Sequence, residues 1–285
     1  MLGKTKNLVV VHRIERYPAM TTVTRNQKIY FAAVGALALW VAFWGLLIPE
    51  RVDKAIPWLV PPLHARFIGA IYLSAVLFMG ASMMAHYYDE VRVATIMVSI
   101  WTGALFVISL FYLSEFDFSR SPVWFWFGAY ISYPLIGFWI AWTQRNTRDE
   151  SKSPSLPTWI RNYFFAQGAI ITILALALFF AADFMVTIWP WNITRMLAQI
   201  YSGPFLAFGL GSLMFGRQRT WPEVRIGVWG IFVLAVGVLV ASVLHRALFS
   251  ASSPSTWVWF GGFLLVALFL GAAIIRRRND MGVSK

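Results

Sequence analysis

Residues 89–101, DEVRVATIMVSIW, and residues 222–234, PEVRIGVWGIFVL, each carry a Glu-Val-Arg triplet into an apolar run. The triplets lie 133 positions apart, Glu90 to Glu223 and Arg92 to Arg225. The same offset carries Tyr30-Phe31 to Tyr163-Phe164, Pro57-Trp58 to Pro190-Trp191, and Trp124 and Trp126 to Trp257 and Trp259. It also carries Phe127-Gly128 to Phe260-Gly261 and Arg145-Asn146 to Arg278-Asn279. One ungapped offset that joins the start, middle and end of two segments reads as a tandem duplication, over 28–146 and 161–279.

Composition says what is duplicated. Hydrophobic residues make up 59% of the 285-residue chain and charged residues 13%, about half the roughly 25% charged share of a soluble domain. A helix needs about 20 apolar residues to cross a bilayer. Eight stretches qualify: 30–47, 67–85, 93–113, 123–142, 163–182, 196–215, 226–244 and 257–275. Apolar residues fill both alternating faces of these stretches, against the pattern of a barrel strand with its polar lumen side. The expected fold is an all-α integral membrane protein with eight transmembrane helices, arranged as two tandem four-helix repeats. Four crossings per unit give both units the same orientation, so the repeats are parallel, related by an axis along the membrane normal.

Charge fixes the orientation. Arg51, Lys54, Arg66, Arg120, Arg195 and Arg246 fall on one side, and the other 18 of the 24 lysines and arginines fall on the opposite side. The positive-inside rule then puts both termini in the cytoplasm, as expected of a multi-pass protein of the cell inner membrane. A basic tail over 1–27, a polar linker over 147–160 and a short tail over 280–285 flank the repeats. The first apolar stretch is too long for a secretory h-region and no small-residue cleavage site follows it. Met20, opening MTTVTRNQK, would serve as a start as well as Met1. The net charge of +12 suits anionic lipid headgroups. Nucleic acid is not an expected partner, because no basic helix face or aromatic-interleaved patch is present.

Catalytic signatures are missing. The chain has no cysteine, which excludes thiolate metal sites and cysteine nucleophiles, and no HExxH, GxSxG or P-loop occurs. No ionisable residue sits near the middle of a crossing, where ion and proton carriers usually place one. Pro134 and Pro204 fall inside crossings and are expected to kink them. Small-residue runs from Gly209 and from Phe260 favour close helix packing.

The candidate functional residues lie at the span ends. Glu90 and Glu223 open helices, where a carboxylate meets the positive end of the macrodipole, and Arg92 and Arg225 can snorkel to headgroups. Acid and base two apart do not face each other on a helix, so pairing across helices, such as Glu90 with Arg217, is the alternative. Trp58, Trp191, Trp124 and Trp257 suit an aromatic belt at the headgroup level. They equally suit a groove between the repeats for a flat apolar ligand. His64 and His245 share a depth without being repeat equivalents, and either could be a single axial ligand to a haem or chlorophyll. The sequence specifies no cofactor.

The passage 63–112, LHARFIGAIYLSAVLFMGASMMAHYYDEVRVATIMVSIWTGALFVISLFY, resembles uncharacterised bacterial multi-pass membrane proteins built from four-helix modules. Their pattern is an Arg-x-x-Gly-Ala start to the second helix, here Arg66, Gly69 and Ala70, and then an acidic and basic loop before the third. In the second half Gln199 and Ser202 replace Arg66 and Gly69. The resemblance implies the modular architecture and no activity. The expected role is a non-catalytic scaffold or anchor subunit in a membrane assembly, with lipids and other membrane subunits as partners. The alternative is a carrier or binder of an apolar ligand (lipid, quinone, carotenoid or pigment) between the repeats. An enzyme would have to draw on His64, Arg66, Glu90 and Glu223, which fall at two membrane faces.

Overall fold

The structure is a computed structural model that describes residues 21–145 and 155–282, with side chains to 279. Most of the tail expected over 1–27, much of the linker over 147–160 and the last tail, 280–285, therefore lie outside the described side chains.

Among the described residues eight helices are long and apolar enough to cross a membrane. They are α1 (Arg25–Leu47), α2 (Pro62–Met84), α3 (Tyr88–Phe111), α4 (Ser121–Thr143), α5 (Thr158–Phe180), α7 (Arg195–Gly216), α8 (Trp221–Leu244) and α9 (Pro254–Gly282). A short α6 (Ala182–Ile188) precedes α7. A chain apolar on all sides can satisfy its backbone in lipid only internally, as these helices do. Most helices start a few residues before the apolar run, and two of these starts carry a threonine cap. Thr24 and Gln27 form a reciprocal capping box at α1, and the Thr194 hydroxyl accepts from the Leu197 amide at α7.

The helix starts keep the 133-residue offset: Arg25 and Thr158, Pro62 and Arg195, Tyr88 and Trp221, Ser121 and Pro254. So do the 3₁₀ turns Leu113–Glu115 and Arg246–Leu248, and the isolated backbone bridges Thr22–Tyr87 and Ser155–Thr220. One departure is local: the turn Pro49–Lys54 is 3₁₀, whereas the matching stretch forms the α6 helix.

Packing divides the helices into two layers. α1 lies on α2, α5 on α7, α3 on α4 and α8 on α9, while α2 meets α8 and α3 meets both α7 and α8. The inner four are therefore α2, α3, α7 and α8. The apolar window of α7 is 72% buried, against 22% for α5 and for α9. Close backbone approach sets the α1–α2 crossing: a Cβ on Gly45 would stand 2.6 Å from the Ala65 carbonyl. On Gly209 it would stand 2.6 Å from the Thr172 amide, at the α5–α7 crossing. The run from Gly209 thus packs tightly. In the run from Phe260, Gly261 and Gly262 have nothing within 4 Å, whereas Ala267, Leu270 and Ala273 further along are buried.

Candidate functional site

Side chains join the two halves at both ends of the inner bundle, here named the Glu90 rim and the His245 rim. At the Glu90 rim the glutamates reach back over their own helix starts. Glu90 Oε1 accepts from the amides of His86 (3.2 Å) and Tyr87 (3.1 Å). Glu223 Oε2 accepts from those of Arg219 and Thr220, both at 2.7 Å. Each thus satisfies the amide of its helix's N-cap residue, one of the donors that a helix start leaves without an intrahelical partner, and the amide before it. The arginines then differ. Arg225 crosses to Glu90, whose side chain is 9% exposed, whereas Arg92 pairs with Asp89 one turn back on its own helix. Pro222 stands where the offset would require a second Asp89. Glu90 pairs with Arg225 of α8 rather than with Arg217, the C-cap residue of α7.

At the His245 rim, Arg66 Nη1 donates to His245 Nε2, which makes the imidazole the acceptor. The Tyr112 hydroxyl donates to Gln199 Oε1, and Gln199 Nε2 donates to the Phe179 carbonyl at 3.0 Å. Partial burial and the Arg66 charge hold His245 below the usual histidine range, opposed by Glu50. Burial pushes the Tyr112 hydroxyl up, so it stays a protonated donor. Arg120, which the sequence did not single out, ties the loops of the first half through the Asp53 carbonyl (2.8 Å), the Asp53 carboxylate (3.1 Å) and the Pro57 carbonyl (3.0 Å).

His64 is buried. Its Nδ1 stands 2.7 Å from the Tyr201 hydroxyl, and its ring meets Trp191 edge-on at 6.2 Å. His64 and His245 therefore have separate partners. The tryptophans separate too. Trp124 and Trp257 are 63% and 66% exposed, each donating at 2.9 Å to a loop carbonyl, that of Phe118 or Ala251. Trp126 and Trp259 are buried, each donating at 2.9 Å to a serine hydroxyl of the neighbouring helix, Ser109 or Ser242. Trp58, half-buried, packs on Trp126 at 5.2 Å, and Trp191, buried, packs on Trp259 at 4.8 Å. A cavity of about 20 Å³ between the halves is lined by Trp58, Tyr72, Trp101, Trp126 and Tyr201, room for about one water. The indole N–H groups of Trp58 and Trp101 have no acceptor in the described chain.

The described residues hold no group of three His, Asp or Glu side chains placed to bind a metal. Fold and rims together define a multi-pass helical protein with eight candidate membrane spans. Comparison of the chain with protein-family models, curated proteins and solved structures finds no match.

Proposed function

We propose that the chain is a non-catalytic scaffold or anchor subunit of a membrane assembly in the bacterial inner membrane. It comprises two tandem, parallel four-helix repeats with both termini in the cytoplasm. The observation that carries the reading is the contrast between a tied centre and an open periphery. Arg225–Glu90, Arg66–His245 and Tyr112–Gln199 lock the halves at both rims, while α4 and α9 expose large side chains such as Phe125, Trp139, Val258 and Leu265. Such faces suit lipid or the helices of other subunits. The helix starts and the equivalent hydrogen bonds that recur at 133 residues support the duplication. The asymmetry of lysine and arginine supports the orientation.

A second reading has its own observation. The unpartnered indole donors of Trp58 and Trp101 at the cavity between the halves suit a carbonyl-bearing apolar ligand such as a quinone, once the cavity widens. Native mass spectrometry of the full chain extracted in mild detergent separates the two. Co-extracted subunits in fixed ratio support the scaffold. A monomer that retains one pigment or quinone per chain overturns it in favour of the carrier.

A further inference from the structure

A cavity of about 480 Å³ lies at the Glu90 rim between the starts of α5 and α8 and the last turns of α9. Its wall includes Ser155, Trp159, Trp221, Arg276, Arg277 and Asn279. The Arg276 guanidinium lies 5.7 Å from the Trp159 ring centre and that of Arg277 lies 6.0 Å from the Trp221 ring centre. Contacts of this kind hold a guanidinium by its face and leave its N–H edge for an acceptor. Arg277 Nε is buried with no partner in the described chain. Neither arginine joins an ion pair among the described residues. Asp280, next after Asn279 in sequence, is the nearest acid along α9.

The equivalent place in the first half is built differently. There the offset puts Thr143 and Gln144 where Arg276 and Arg277 stand, and Thr24 and Gln27 where Pro157 and Ile160 stand. Thr24 and Gln27 close the start of α1 with a capping box, whereas Pro157 gives α5 no side-chain cap. The second half thus lacks an internal acceptor at this helix start and carries two cations beside it. Both features favour an anion from outside the chain.

We propose that this cavity binds the phosphate-bearing headgroup of an anionic phospholipid from the adjacent leaflet. The arginines meet the phosphate, the open start of α5 faces it, and the tryptophans sit at the headgroup level that their rings favour. The site does not depend on the scaffold reading, since a carrier could hold it equally.

The test uses the purified full chain in neutral detergent, equilibrated with phosphatidylglycerol or phosphatidylcholine. The readout is lipid retained per chain after gel filtration. Phosphatidylglycerol is expected to be retained over phosphatidylcholine. Its affinity should fall about fivefold for Arg276→Gln or Arg277→Gln and further for the double variant. Arg217→Gln, at the same rim outside the cavity, should not change it. Arg276 is exposed, so its variant keeps the test valid if changes at Arg277 disturb folding. Equal retention of the two lipids overturns the proposal, as does a loss no greater for Arg276→Gln than for Arg217→Gln. Competition by inorganic phosphate with no retained phosphatidylglycerol overturns it in favour of a soluble anion.

Discussion

Arg66 meets His245 across the two halves at the place where, 133 residues on, Gln199 meets Tyr112. The donor swaps sides: the residue on the second helix of the unit donates in one pair and accepts in the other. Each of the two pairs thus matches a donor to an acceptor. Exchanging one pair for the other is therefore expected to be tolerated. Arg66→Gln or His245→Tyr alone should cost about 1 kcal/mol at this partly exposed site. The double variant should recover most of that, as read by thermal unfolding in detergent.

Acid should weaken the same contact. Free histidine titrates near 6.5, and folded His245 titrates lower because of desolvation and Arg66, with Glu50 opposing. The unfolded chain therefore binds more protons just below the ordinary value, and stability contributed by neutral His245 falls as pH drops through that window. It is fully present above it. Unfolding temperature should fall on acidification from neutral pH, and less steeply in His245→Gln.

The two glutamates of the repeated triplet should not respond alike. Glutamine can keep the capping acceptor but not the charge. Glu223→Gln is expected to cost only a few tenths of a kcal/mol, within the range for altered caps. Glu90→Gln also loses the pair with Arg225 and should cost about 1–2 kcal/mol, between the exposed and buried limits for ion pairs. A double-mutant cycle of Glu90→Gln with Arg225→Gln measures the coupling, and none is expected between Glu223 and Arg92.

The eight spans were legible because a bilayer forces long apolar runs, and the offset was legible because the halves match without a gap. Side-chain azimuths were less so. Trp124 and Trp126 look alike in sequence, yet residues two apart on a helix point about 200° apart. One therefore faces outward and the other enters the bundle. Trp58 and Trp191, read as belt or groove, pack against their buried neighbours Trp126 and Trp259. The cross-half pairs could not be read from one helix at a time. Their trace was the coincidence that Arg66 and His245 both depart from the repeat, at positions that proved to touch. His64 and Tyr201 depart from the repeat in the same way, with Leu197 and Ile68 as their offset partners, and they too meet across the halves.

The paired indole bonds offer a like-for-like comparison of the halves. Ser109→Ala and Ser242→Ala each strand a buried indole N–H, of Trp126 or Trp259. Hydrogen bonds in membrane interiors average about 0.6 and reach about 1.7 kcal/mol. Each substitution is expected to cost about 1 kcal/mol, and two equivalent sites should agree within a few tenths. Unfolding of the two variants in the same detergent compares them directly.

Labelling of single cysteines tests the central claim, two parallel repeats with both ends in the cytoplasm, most directly. The chain contains no cysteine, so each introduced thiol reports without background. Ser119→Cys and Ser252→Cys occupy equivalent exposed loop positions, and both should react with an impermeant maleimide on intact cells. Ser155→Cys, and a cysteine appended after Lys285, should react only once the membrane is opened. Labelling of Ser119→Cys and Ser252→Cys from opposite sides would contradict the account, because the halves would then be inverted.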